Sequence, residues 1–281
     1  MTLPVLLPGL ASPVRDAYAR LAEAFPALTV RELGSGEWAP SGAGWVRADE
    51  LAAGGAALDE FLAWDRAQVL RDHGQPGRPG VVAGFGLHRY VWPACLLITV
   101  PWFLHRRVPA PGPGDVSFQR TLGRMAVRVT EFACLPGDPA ARLPGARVVA
   151  DEEALRGEVR SAVAAHLEPL LRGFAPRMRR GNRALWGMAT DDLVEGLWYI
   201  GNLLGEEQRA MSELELLLPG TPKPYVGAPG FRMLTGPQGE QLPTRTRATC
   251  CFFYTLRPDD TCITCPRTCD EDRVARLLPG T

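Results

Sequence analysis

Residues 249–266 read TCCFFYTLRPDDTCITCP, setting Cys250 and Cys251 side by side, ten residues ahead of the turn Cys262-x-x-Cys265. Four of the seven cysteines in this 281-residue chain therefore fall within sixteen positions. Thiolates are soft ligands, and a turn built on Cys-x-x-Cys aims two sulfurs at one metal centre. The four histidines, His73, His88, His105 and His166, lie far from this stretch in sequence, so an all-sulfur site is the natural reading. A tetrahedral zinc and a [2Fe-2S] centre both fit it, and disulfides or unliganded thiols are the remaining readings. Zinc sites of four cysteines usually pair two Cys-x-x-Cys knuckles, and here the first knuckle is missing. Neighbouring side chains of an extended segment point to opposite faces, so Cys250 and Cys251 reach one small ion only if the backbone bends sharply. A two-iron centre is a larger target and relaxes that demand. The stretch thus reads as a small, irregular C-terminal cap built round its thiols.

Arg245, Arg247, Arg257 and Arg267 flank the cysteines. A centre on four thiolates is negative and reduction adds one more unit, so these cations are candidates for cluster tuning or for docking an acidic donor protein. Asp259, Asp260, Asp270, Glu271 and Asp272 dilute their field. A second basic run, Arg177 to Arg183, stands just before Trp186. Arg179, Arg180, Arg183 and Trp186 are candidate substrate contacts, the arginines for anionic oxygens and the indole as a wall. The plainer reading is a basic helix end followed by a core tryptophan. Cys269 is a spare thiol or, if residues 265–269 form a helical turn, a competing ligand. Cys95 and Cys134 sit in apolar segments and read as buried small hydrophobes.

The form Thr249-Cys250-Cys251-Phe252 followed by Cys262-Ile263-Thr264-Cys265-Pro266 resembles the C-terminal signature of the FhuF family of ferric siderophore reductases. Ala184-Leu185-Trp186-Gly187-Met188-Ala189 is similar to the Leu-Trp-Gly patch that such proteins, and related C-terminal domains of siderophore synthetases, carry upstream. The resemblance implies a [2Fe-2S] cluster on Cys250, Cys251, Cys262 and Cys265. It also implies one-electron reduction of Fe(III) in a siderophore, expected to be of hydroxamate type, with release of Fe(II). Hard oxygen donors hold Fe(III) tightly and the softer Fe(II) less well, so an added electron turns binding into release. No Walker loop or Gly-x-Gly-x-x-Gly precedes a helix, so the reducing equivalents are expected from an electron-donor protein of ferredoxin or flavodoxin type. The alternative is a zinc-stapled siderophore-binding or biosynthetic accessory protein without redox activity.

Composition narrows the remaining classes. With 46% hydrophobic and 22% charged residues the chain is globular, and its formal net charge of zero argues against nucleic acid as a partner. The residues Met1 to Pro8 lack a basic start and contain Pro4 and Pro8, which makes a poor signal peptide. The longest apolar run, Tyr90 to Leu104, holds Pro93 and Pro101, is shorter than the ~20 residues of a membrane span, and reads as a buried helix or helix-strand segment. No integral membrane segment is expected, and a cytoplasmic location follows, where reducing conditions favour metal binding over disulfides.

The spacing predicts helices over Pro13–Phe25, started by Ser12, over Ala48–Arg71, interrupted at Gly54-Gly55, and over Asp151–Phe174, where Pro169 should kink or divide the run. One or two more helices are expected over Asp191–Leu217, and strands over Met125–Cys134 and Gln241–Leu256. Pro109–Asp115 is the best linker. The expected fold is α+β, mainly helical, with a small antiparallel sheet and the C-terminal cap. The division is 1–110 of unassigned role, 111–225 on the substrate side, and 226–281 binding the iron-sulfur centre.

Overall fold

The computed structural model describes residues 12–34 and 36–278; the reading of Met1 to Pro8 lies outside them. Ser12 starts the first helix as its sequence position implies. Its hydroxyl accepts from the backbone N–H groups of Val14 (3.1 Å) and Arg15 (2.9 Å), opening α1 (Arg15–Ala24). Strand β1 (Thr29–Glu32) and the short β2 (Val46–Arg47) follow. The expected helix over Ala48–Arg71 is two, α2 (Ala48–Ala52) and α3 (Ala56–His73), because Gly54 turns left-handed at φ 69°.

The centre of the molecule is α4 (Pro79–His105), 27 residues long and packed against α1 and α3 and against two later helices, α5 (Glu152–Met178) and α6 (Asn182–Leu203). The apolar run Tyr90 to Leu104 lies within this one continuous helix, Pro93 and Pro101 included. An interior proline costs ~3 kcal/mol in an isolated helix, but burying an aromatic or leucine side chain returns about 1.5–3 kcal/mol. Tyr90, Leu96, Leu97, Trp102 and Phe103 are all buried here. By length and composition α4 is able to cross a membrane, yet 78% of its most apolar window is buried within the fold. Helix α5 likewise runs through Pro169 and Pro176, and Asp151 caps its start by accepting from Ala154 N–H at 2.8 Å.

The segment Met125–Cys134 is also two elements. Strands β3 (Arg107–Pro109), β4 (Val116–Gln119), β5 (Arg124–Val127), β6 (Phe132–Cys134) and β7 (Ala146–Val148) form two sheets with β1 and β2, ordered β1-β5-β4-β2 and β3-β6-β7. Most pairings are antiparallel, but β1–β5 and β6–β7 are parallel. The large apolar core draws on both sides of Pro109–Asp115, from Leu21 and Leu97 to Leu170 and Leu197. Helix α7 (Glu207–Leu217) packs on α6. The hairpin β8 (Phe231–Thr235) and β9 (Gln241–Arg245) leads into an irregular stretch closed by α8 (Asp270–Leu277). The expected strand over Gln241–Leu256 therefore ends at Arg245. The fold is α+β and mainly helical, with an irregular C-terminal cap.

Candidate metal centre

Helix α6 supplies the platform. Gly187, Asp191 and Glu195 recur every four residues and share one face. Asp191 is fully buried, and its two oxygens accept from four donors of the segment that enters the cap: Arg245 Nη2 (2.6 Å), Ala248 N (2.9 Å), Thr249 N (2.9 Å) and Thr249 Oγ1 (2.8 Å). Arg245 is itself fully buried and also reaches Glu195 at 2.9 Å. Gly187 makes room for this segment, since a Cβ there would lie 2.2 Å from Thr249 Cγ2. The residue after Thr249 is Cys250, so α6 fixes the point from which the thiols spread.

A second buried guanidinium stitches the far side. Arg273 of α8 donates to the carbonyls of Thr268 (3.2 Å), Arg245 (2.8 Å) and Cys265 (2.7 Å). Arg247 N–H donates to Thr264 O (3.0 Å), and Cys265 N–H to Cys262 O (3.0 Å), which brings the Cys-x-x-Cys turn beside the Cys-Cys pair. Cys265 is buried, and Cys250, Cys251 and Cys262 are half-buried.

Two of the four sulfurs face backbone donors. Phe252 N–H points at Cys250 Sγ (3.3 Å) and Arg267 N–H at Cys265 Sγ (3.4 Å). The Cys251 thiol is pulled down to about 5, first by the Cys262 S–H donated to it, then, against the cost of burial, by Phe253 N–H and the Arg247 charge. Cys262 is pushed up by the same hydrogen bond and by burial, so the pair shares one proton and Cys251 ionises first. Burial raises Cys250, and the nearby charges of Cys251 and Cys265 add to that against the Phe252 N–H. Among the described residues, no three His, Cys, Asp or Glu side chains converge on a single-ion position. The Cys251–Cys262 hydrogen bond brings together one sulfur from each cysteine pair, and the four thiols offer the all-sulfur ligand set that a [2Fe-2S] core takes.

Residues 247–267 match the family model of the FhuF 2Fe-2S C-terminal domain. This stretch of the cap is similar to the FhuF 2Fe-2S domain, and the cofactor it indicates is a [2Fe-2S] cluster. No curated protein matches the chain significantly. The filling left open by ligand chemistry alone is thereby iron-sulfur, not zinc.

The structure separates the arginines around the cap by role. Arg245 is a buried partner of Asp191, and Arg247 is largely enclosed, 3.6 Å from Asp191 and 3.9 Å from Asp192. Neither presents a docking surface, because both are consumed in holding the loop. Arg257 and Arg267 are exposed; Arg257 meets His73 and Arg267 stacks on Tyr254 at 4.1 Å. Arg180 touches the domain directly, donating to Cys250 O (3.0 Å) and lying 4.1 Å over the Phe252 ring. Arg179 lines the cleft beside Phe252, whereas the exposed Arg183 does not. Trp186 is 2% exposed and packs edge-on against Tyr225, so it is a core residue and not a substrate wall. Cys269 does not continue a helical turn from Cys265; it is exposed and precedes α8, away from the primary thiols' hydrogen bonds.

Sequence reading missed Asp191, Gly187, Arg273 and Arg78. The four-residue recurrence of Gly187, Asp191 and Glu195 was the available signal. A further polar link also escaped it: His88 Nδ1 lies 2.7 Å from Asp192 Oδ1. Burial works to lower the His88 pKa, but Asp192 outweighs it and raises the value, against Arg247 and Arg89.

Proposed function

We propose that the chain is an oxidoreductase that reduces siderophore-bound Fe(III), with the cluster of its FhuF-type domain held by Cys250, Cys251, Cys262 and Cys265. One observation carries this reading: the Cys-Cys loop forms, through Phe252, a wall of a cleft rimmed by arginines. When bound, a [2Fe-2S] cluster supplies electrons singly, which is what conversion of Fe(III) to Fe(II) requires. The chain's own residues do the rest. Arg180 holds the loop carbonyl of Cys250 and the Phe252 ring, which keeps the cleft and the thiols in fixed relation. Backbone N–H groups on the sulfurs stabilise the negative charge that reduction increases. Arg257 and Arg267, exposed on the cap, are the surface offered to an acidic ferredoxin- or flavodoxin-type donor, and the setting is the reducing cytoplasm.

The test is a single turnover without oxygen. Pre-reduced protein is mixed with a ferric hydroxamate complex in the presence of a coloured Fe(II) chelator. The expected result is cluster reoxidation together with stoichiometric Fe(II) capture, both abolished by Cys262→Ser while the helical circular dichroism persists. A reduced cluster that stays reduced in the presence of ferric complexes would refute the proposal.

A further inference from the structure

The cleft beside the cap gathers arginines that meet no carboxylate. It encloses ≈ 350 Å³ between the start of α4 (Arg78, Gly80), the end of α5 (Arg179, Arg180) and the cap residues Phe252 and Thr255. The chain as a whole has 31 basic and 31 acidic residues, and nearby Arg177 is paired with Asp59 at 2.9 Å. Among the described residues, Arg78, Arg179 and Arg180 have no carboxylate at ion-pair distance. Arg180 is fixed by Cys250 O and Phe252; Arg78 and Arg179 are exposed at the rim. The fold draws these cations together through Gly80, where a Cβ would lie 3.0 Å from Met178 O, so a larger residue would push the start of α4 away from the end of α5. The positive end of the α4 dipole opens on the same space.

We infer that this cleft selects ferric complexes of net negative charge, such as mixed carboxylate–hydroxamate chelates, over neutral tris-hydroxamate chelates. The assignment rests on the reductase reading for its biological sense. Free carboxylates on the chelate pair with the Arg78 and Arg179 guanidinium groups, which hold carboxylate oxygens in a two-pronged geometry. The apolar flank of the chelate lies on Phe252, next to the cysteine loop. Arg78 and Arg179 are specificity-determining residues; Arg180 positions the loop.

Binding is separable from reduction by using gallium(III) chelates, which match the ferric complexes in charge and shape and accept no electron under these conditions. Calorimetry on the cluster-loaded full chain should find a mixed carboxylate–hydroxamate gallium chelate bound at least tenfold tighter than a neutral tris-hydroxamate one at low salt. That preference should vanish in 1 M salt, where the screening length is about 3 Å. It should also vanish in an Arg78→Gln/Arg179→Gln variant, whose substitutions break no ion pair. Equal binding of the two chelates, no binding of either, or a preference that survives the double substitution would overturn the assignment. If the gallium preference holds but ferric chelates are not reduced, the reductase reading falls and the anionic cleft stands. If reduction proceeds with no charge preference, the cleft assignment falls alone.

Discussion

Gly187 and Asp191 decide how close the cysteine loop comes to its supporting helix. The 2.2 Å that would separate a Cβ at position 187 from Thr249 leaves no room for even a methyl group. Gly187→Ala should therefore move the loop and cut the iron content of purified protein severalfold, with helical circular dichroism unchanged; full iron content would show that the loop is free to adjust. Asp191 accepts four hydrogen bonds and neutralises Arg245 in a site where neither is exposed. Removing one partner of a buried ion pair costs about 3–5 kcal/mol, because the other charge stays desolvated. Asp191→Ala is expected to lower urea stability by that amount, whereas loss of an exposed pair such as Arg20–Glu23 should shift it by under ~1 kcal/mol. The cysteine-rich stretch that matches the family model was legible in the sequence because its spacing is itself the signal. The Trp186-Gly187 patch was legible only as a patch: attention fell on the indole, which is core, while the glycine makes the contact with the loop.

At the level of elements, the helices were readable where apolar spacing and caps agree, as at Ser12 and Asp151. Pro169 does not divide its helix, because a proline's cost is local while the burial that offsets it comes from other elements; Pro93, Pro101 and Pro169 all lie inside helices. The contact between α4 and α5 includes a pH-sensitive pair. His166 is buried, with Nδ1 3.2 Å from Pro111 O and Nε2 3.0 Å from Tyr90 Oη. Nδ1–H donates to the carbonyl and Nε2 accepts from the phenol, which is the neutral imidazole. Burial lowers its pKa to about 4, against a partial pull upward from Pro111 O and Asp115. Between pH 6.5 and about 4 the unfolded chain binds a proton that the folded chain refuses. Stability should therefore fall as pH drops through that window, by about 3 kcal/mol in total from this group. Urea unfolding across the window, compared with His166→Gln, checks this; identical pH slopes in the two proteins would contradict it.

On the scale of the whole molecule, two regions of unequal stability are joined through α6. The helical core is large and apolar, whereas between residues 246 and 278 the buried apolar side chains, among the described residues, are Leu256 and Cys265. Hydrogen bonds donated by Arg273 and accepted by Asp191 hold the cap. Chelating the iron should consequently open residues 247–270 to limited proteolysis while the core resists, and cleavage first within α4 or α5 would argue against this division. The site's location was legible from the sequence, but its support was not. Asp191, Gly80 and Arg78 lie 59 to 172 residues before Cys250, and nothing local ties them to it. The most direct measurement is electron paramagnetic resonance of protein prepared without oxygen, with iron and sulfide assayed on the same sample. Two irons and two sulfides per chain, silent as isolated and showing one unpaired spin after dithionite, are predicted, with the signal lost in Cys251→Ser. Colourless protein that carries one zinc, or none, and stays silent after reconstitution and reduction would contradict the account.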